Sequence, residues 1–172
     1  MYFVATGVDS GAPFYLSPNV LSWMDVLKAS AVLPILYRYF VTIGGVTYTD
    51  GGVSDPLPAA RAYELGAEKV VVIRSRPKNF RIRAKFDCYI AALRYRRHPE
   101  LCAALLQHAE VYNRQVEFLA QRAAAGTLVS IAPLAHTAAG RTAISRTSIE
   151  HDYRCGRDAG ASFLKTGHAE LQ

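Results

Sequence analysis

The stretch Val46-Thr47-Tyr48-Thr49-Asp50-Gly51-Gly52 sets an acid at the end of a β-branched, aromatic run and follows it with two glycines. The run VTYT alternates as a half-buried strand does. Paired glycines let the backbone take a positive φ or approach another group closely. Asp50 is therefore predicted at a strand end, where α/β proteins often build sites, although Asp-Gly is also a common plain turn.

The segments around this stretch carry further strand patterns. Gly44-Gly45 separates two β-branched runs, which predicts a hairpin with a type I′ or II′ turn leading into Asp50. Four consecutive β-branched residues, Val70-Val71-Val72-Ile73, suit a strand covered on both faces and reached through a helix, and hence paired in parallel. Strands are predicted at residues 2–6, 40–43, 46–49, 70–73 and 127–134.

Helix patterns alternate with the strands and predict an α/β fold class. The pair Asp55-Pro56 has the form of an acidic cap with proline at the first helical position. Thr147 and Glu150 match a capping box before the last helix. Helices are predicted at 22–31, 55–65, part of 80–97, from Pro99 to Gly126 with an apolar stripe of Leu101, Leu105, Tyr112, Val116 and Leu119, and after Thr147.

Composition limits the class of protein. The chain has 172 residues, 51% of them hydrophobic and 20% charged, which fits one globular domain with a core. Neither a membrane-spanning run nor a signal peptide is recognisable, so a cytoplasmic location is expected, with peripheral membrane contact as an option. Three separated cysteines and five histidines without ligand spacing favour neither disulfides nor a metal, and no cofactor is expected.

Positive charge is concentrated in one segment. Nine of the twenty basic residues lie between Arg74 and Arg97, with Asp87 as the single acid. Such a segment can meet the phosphates of nucleic acid or of an anionic lipid surface, or can be a solvated basic face. No nucleic-acid motif frames it, so no specific nucleic acid is expected. The candidate contacts to an anionic surface are Arg81, Arg83, Arg94 and Arg96.

The order of these motifs resembles a known family. ASAVLP at 29–34, a hairpin, YTDGG at 48–52, DPLP at 55–58 and LGA at 65–67 before a valine strand are similar to the C-terminal half of bacterial patatin-like phospholipases. The resemblance covers residues 1 to about 125. It implies part of a three-layer α/β/α fold, with residues 1–79 as the C-terminal half of the catalytic domain and 80–172 as a basic segment and helical extension packed on it.

The resemblance also implies a chemistry. Members of this family hydrolyse lipid acyl esters with a serine and aspartate dyad, and the family's aspartate falls on Asp50. In that role Asp50 accepts the proton of the serine hydroxyl, and Gly51 and Gly52 turn the chain away from the serine. The implied substrate is a lipid or another acyl ester.

The sequence departs from the family at the nucleophile. G-x-S-x-G does not occur in the chain, and Ser54 and Ser162, the serines with glycine two places before, are interpreted as structural. The serine elbow is expected upstream of Met1, and the isolated chain is expected to be inactive. Two alternatives remain, namely a phosphate-binding or anionic-surface-binding module and a non-catalytic complementing fragment.

Overall fold

A computed structural model describes residues 1–34, 36–37, 39–83, 86–134 and 145–166. The protein is a mixed α/β structure, as its sequence predicts. It divides into two compact units. The first unit comprises Met1–Pro58 and Arg81–Gln115, and the second comprises Ala59–Phe80 and Val116–Gln172.

An antiparallel sheet forms one part of the first unit. Its strands are β1 (Phe3–Gly7), β2 (Pro13–Leu16), β3 (Val41–Ile43) and β4 (Val46–Asp50), in the order β2-β1-β4-β3. The predicted hairpin joins β3 to β4, and its two glycines both have positive φ, at 57° and 81°. Two successive positive φ angles are those of a type I′ turn, so the prediction of a type I′ or II′ hairpin is confirmed. Strand β2 was not predicted, because PFYL lacks a clear alternation.

Helix α1 (Trp23–Ala31) packs on this sheet and confirms the predicted helix at 22–31. Val26 and Ala29 are fully buried and form a cluster with residues of β1, β2 and β4. The buried members of this cluster are Ala5, Leu16, Val26, Ala29 and Tyr48. This cluster covers one side of the strand that ends at Asp50.

Two further helices complete the first unit. Helix α3 (Phe86–Arg94) lies in the predicted basic segment, and α4 (Pro99–Ala124) begins in the first unit and continues into the second. The α4 stripe is confirmed, because Leu101, Leu105, Tyr112, Val116 and Leu119 are all buried. A second core cluster joins Leu101 and Leu105 to Ala91, Val8 and Val53.

The second unit contains α2 (Ala59–Glu64), β5 (Val70–Ile73), β6 (Leu128–Ile131) and α5 (Arg146–Thr166). Strands β5 and β6 pair in parallel, as predicted for β5. The prediction that β5 is covered on both faces is wrong for the described residues. Val70 is buried but Ile73 is 80% exposed, because the described part of this unit covers only the face on which Val70 lies.

Two helices begin later or are capped differently than predicted. Helix α2 begins at Ala59 instead of Asp55, because Asp55 is engaged in tertiary hydrogen bonds. Helix α5 is preceded by Ser145, whose hydroxyl accepts the Ser148 N–H at 3.1 Å. The capping box at Thr147 is therefore wrong, and Glu150 instead accepts a hydrogen bond from Arg146 at 3.0 Å.

Candidate active site at the end of strand β4

Asp50 is the last residue of β4 and caps the 3-10 turn Gly51–Val53 that follows. The residue opposite it on β1 is Ala5. Its side chain is half-buried, and Oδ1 accepts the backbone N–H of Gly52 at 2.6 Å. The prediction that Asp50 stands at a strand end is confirmed, and the hydrogen bond fixes the rotation of its carboxylate.

Three hydrogen bonds fix the backbone on either side of this carboxylate. The Asp50 N–H donates to the carbonyl of Val32 at 3.0 Å, and the Thr49 hydroxyl donates to the same carbonyl at 2.8 Å. On the other side, the Thr6 hydroxyl donates to the Asp50 carbonyl at 2.7 Å. Thr6 and Thr49 are fully buried. The end of β4 is therefore tied both to the end of α1 and to β1.

The two glycines after Asp50 have different constraints. Neither has a positive φ, so that explanation of the pair is wrong. Close approach explains Gly51. A Cβ on Gly51 would overlap the carbonyl group of Val4 and would lie 2.8 Å from the Cβ of Val4. A Cβ on Gly52 would lie 2.9 Å from Asp50 Oδ1. Gly51 serves the packing of the turn, and Gly52 leaves room for the carboxylate.

Ser54 belongs to the framework of this turn. Its Oγ lies 2.8 Å from Oγ1 of Thr6. Since the single hydroxyl proton of Thr6 is donated to the Asp50 carbonyl, Ser54 is the donor in this contact. The structural interpretation of Ser54 therefore holds. Sequence reasoning missed Thr6, because a partner 44 positions away leaves no pattern in the local sequence.

Asp55 forms a second carboxylate site five residues further along. It is buried and accepts two side-chain hydrogen bonds, from the Tyr15 hydroxyl at 2.6 Å and from Gln115 Nε2 at 2.5 Å. Gln115 Oε1 in turn accepts the Leu57 N–H at 2.9 Å. This network ties β2, the segment after the turn and α4 together, and gives Asp55 a structural role.

Tyr48 lies two residues before Asp50 in β4 and contributes to the core. Its ring packs edge-on against Phe14, with 5.3 Å between the ring centroids. Burial raises the pKa of the Tyr48 phenol above its ordinary value of 10.0. The phenol therefore stays protonated at neutral pH and does not act as a base beside Asp50.

The cations of the basic segment fall into both units. Arg81, Arg83, Arg94 and Arg96 lie in the first unit and are exposed. Arg74 lies in the second unit, where it is buried and donates to the Lys78 carbonyl at 3.1 Å. The four candidate contacts are thus solvent-facing, whereas Arg74 is a structural residue.

The segment that carries Arg81 and Arg83 is anchored to helix α4. The Ile82 N–H donates to Asn113 Oδ1, and Asn113 Nδ2 donates to the Ile82 carbonyl, both at 2.9 Å. These paired bonds hold the backbone between the two arginines. The side chains of Arg81 and Arg83 therefore project from a fixed position on the first unit.

Two of the cysteines have described hydrogen-bond contacts. Cys102 donates to the carbonyls of Ala92 and Tyr95 at 3.0 and 3.2 Å. Cys155 Sγ lies 3.5 Å from His151 Nε2 on α5. No three acidic, histidine or cysteine side chains in the described ranges converge as metal ligands. Likewise, none of the described helices is long and apolar enough to cross a membrane.

The chain is similar to a domain family and to a curated protein. A domain of unknown function, DUF6363, matches residues 98–172, which begin one residue before α4. The uncharacterized protein YjjU of Escherichia coli (strain K12) is 30% identical over 168 residues, which are 96% of this chain and 46% of YjjU. The chain therefore spans about half the length of this curated relative.

The geometry at the end of β4 suits proton transfer. The Gly52 N–H holds Oδ1 of Asp50, and a carboxylate in a fixed position can accept a proton from a hydroxyl group at hydrogen-bond distance. The nearby hydroxyls of Thr6, Thr49 and Ser54 donate their protons elsewhere, to the Asp50 carbonyl, the Val32 carbonyl and Thr6 respectively. Asp50 can thus orient and deprotonate a hydroxyl brought to it by another segment or by a substrate.

Proposed function

We propose that this chain supplies the aspartate of a serine and aspartate dyad that hydrolyses lipid or other acyl esters. The observation that carries the proposal is the fixed carboxylate of Asp50 at the end of β4, held through Oδ1 by the Gly52 N–H. The nucleophilic serine is not among the 172 residues. In this proposal it belongs to a G-x-S-x-G elbow on a segment that completes a patatin-like three-layer α/β/α fold.

Asp50 acts as general base and then as general acid in this reaction. It accepts the proton of the serine hydroxyl while the serine oxygen bonds to the ester carbonyl carbon. The tetrahedral intermediate collapses, the bond to the leaving alkoxide breaks, and Asp50 returns the proton to that oxygen. Water then attacks the acyl-serine with Asp50 again as base, which releases the carboxylic acid and restores the serine.

The surrounding contacts support this role through positioning. A base that must meet a hydroxyl at hydrogen-bond distance loses efficiency when its position varies. The bonds from Asp50 N–H and Thr49 to the Val32 carbonyl, and from Thr6 to the Asp50 carbonyl, hold the backbone of the base on both sides. Gly52 adds no side chain next to the carboxylate.

The test uses the complete gene product, translated from the reading frame that contains these residues, and the 172-residue chain as a comparison. Hydrolysis of a chromogenic acyl ester and covalent labelling by a fluorophosphonate report a nucleophilic serine. We expect the complete product to show both and the 172-residue chain to show neither. A folded complete product without turnover and without labelling would overturn the proposal.

A second candidate function is binding to an anionic surface. The observation that favours it is the exposure of Arg81, Arg83, Arg94 and Arg96 on one compact unit. Such a module binds without turnover, so the ester assay separates the two candidates. Binding would also serve the hydrolase, because an enzyme acting on lipids gains from residence at a membrane surface.

A further inference from the structure

We propose that helix α3 is an interfacial helix that lies on an anionic lipid bilayer, with Tyr89, Ile90 and Leu93 at the boundary between headgroups and acyl chains. The biological role of this binding rests on the proposed function, because it is the way in which a lipid hydrolase would reach its substrate. Binding itself is measurable without turnover. The three apolar residues are called the α3 face below.

Helix α3 exposes three large apolar side chains and buries a small one. Ala91 is only 2% exposed and packs in the core cluster with Leu101 and Val8. The exposed fractions of Tyr89, Ile90 and Leu93 are 58%, 45% and 71%. At about 100° per residue these three side chains share one arc of about 100°, on the side of the helix away from Ala91.

The α3 face is a contiguous apolar surface, and such a surface needs a partner. Single exposed apolar residues are common on protein surfaces and need no explanation, whereas grouped ones mark contact sites. Leu106 on α4 has an exposed fraction of 47%, and no large apolar residue lies three or four positions from it along the helix. The α3 face combines an aromatic ring carrying a hydroxyl with two aliphatic side chains, a composition suited to a membrane interface.

Positive charge lies at the C-terminal end of the α3 face. Arg94 closes the helix next to Leu93, Arg96 follows after Tyr95, and both arginines are exposed. The guanidinium of Arg94 lies over the Tyr95 ring, 5.9 Å from its centroid. Arginines at the rim of an apolar face reach the phosphates of anionic lipids while the apolar residues enter the bilayer.

The same charges disfavour the alternative occupants. A symmetric dimer through the α3 face would bring two copies of a net positive segment into one interface, which costs free energy. Helix α1 also exposes apolar side chains, including Trp23 and Met24, and its charged residues are Asp25 and Lys28. Helix α3 likewise contains one acid and one base, Asp87 and Arg94, but the exposed Arg96 and Arg97 follow it after Tyr95. The excess of positive charge at the end of α3 therefore distinguishes it from α1 as a partner of an anionic bilayer.

The binding experiment is co-sedimentation of the complete gene product with phosphatidylcholine vesicles, with and without phosphatidylglycerol. We expect a clear preference for the anionic vesicles. Leu93→Ser should weaken binding about tenfold at low and high salt, because it removes apolar burial. Arg94→Gln together with Arg96→Gln should weaken binding about thirtyfold at low salt and little at high salt, because salt screens charge.

Matched controls test whether the α3 face is specific. Leu106→Ser removes an equally large exposed side chain, and the double change Arg154→Gln and Arg157→Gln removes two exposed charges from α5. We expect the Leu106→Ser variant to bind as wild type and the α5 variant to bind within about twofold of it. Asp50→Asn should also bind normally. Loss of binding in any of these control variants would oppose this inference. Loss of hydrolysis with intact binding would instead bear on the serine and aspartate dyad alone.

Hydrogen exchange locates the contact directly. Anionic vesicles should slow exchange in peptides covering residues 89–97 and leave those covering 23–31 unchanged. Slower exchange in residues 23–31 alone would overturn the proposal, as would exchange in residues 89–97 that is the same with and without vesicles. So would tighter binding to unrelated DNA or RNA than to anionic vesicles at physiological salt, or a dimer that Leu93→Ser dissociates.

Discussion

Asp50 and Asp55 stand five residues apart, yet their surroundings differ in kind. Asp55 is buried, and both of its oxygens accept hydrogen bonds from side chains, Tyr15 on one and Gln115 on the other. Asp50 is half-buried, and its Oδ1 accepts a backbone N–H from the turn that it caps. The first carboxylate joins distant segments, and the second is held by its own turn at the end of a strand.

The difference separates a structural acid from a candidate catalytic one. A carboxylate whose oxygens are covered by tertiary donors stabilises the fold but has little room to take up a proton from a substrate or nucleophile. A carboxylate fixed by a backbone donor of its own turn keeps its position at the end of a strand, which a proton acceptor in catalysis requires. Substitutions at the two sites should therefore act on different measured quantities.

The largest expected effect is that of Asp50→Asn on turnover. An amide cannot accept the serine proton, so ester hydrolysis by the complete gene product should fall about 100-fold to 10,000-fold. The amide oxygen can still accept the Gly52 N–H, so the free energy of unfolding should stay within about 1 kcal/mol of the wild-type value. Unchanged turnover in a folded Asp50→Asn enzyme would show that Asp50 is an ordinary cap.

Gly51→Ala should have the largest effect on stability. The added Cβ would overlap the Val4 carbonyl, and backbone cannot rotate away as a side chain can. We expect a loss of about 3 kcal/mol in the free energy of unfolding, measured by denaturant titration. Gly160→Ala is the matched control, because open space surrounds that helical glycine and alanine favours the helix. Equal stabilities of the two variants would contradict the close approach.

Asp55→Asn should lower stability and should affect turnover less than Asp50→Asn does. One acceptor oxygen is replaced by an NH2 group, which faces a donor from Tyr15 or Gln115. The expected cost is about 2 kcal/mol in the free energy of unfolding. Asp158→Asn, at an exposed position on α5, removes the same charge and should be neutral. If Asp55→Asn abolished turnover while melting normally, the assignment of the two aspartates would be reversed.

Gly52→Ala should have the smallest effect on stability and act mainly on turnover. Its Cβ would lie 2.9 Å from Asp50 Oδ1, and the carboxylate can rotate to relieve the contact. We expect less than about 1 kcal/mol in stability and about a tenfold loss of turnover, because the base is displaced. A variant with wild-type kinetics would indicate that the carboxylate position is not critical.

Local patterns predicted the parts of the fold that depend on local physics. The glycine pair between β3 and β4 specifies its turn, because two successive positive φ angles exclude most other residues. The buried stripe of α4 follows from helical periodicity alone. By contrast, the helix start at Asp55 was wrong because Tyr15 and Gln115, 40 and 60 positions away, compete for the same carboxylate.

The order of residues fixed the candidate base at the end of a strand, since a β-branched run must stop where paired glycines begin. It did not specify why those glycines are there. Folding brings Val4 against Gly51, and Thr6 against both the Asp50 carbonyl and Ser54. The reason is physical: a steric limit or a hydrogen bond between residues more than forty positions apart arises only when strands pair, whereas strand and turn preferences act within a few residues.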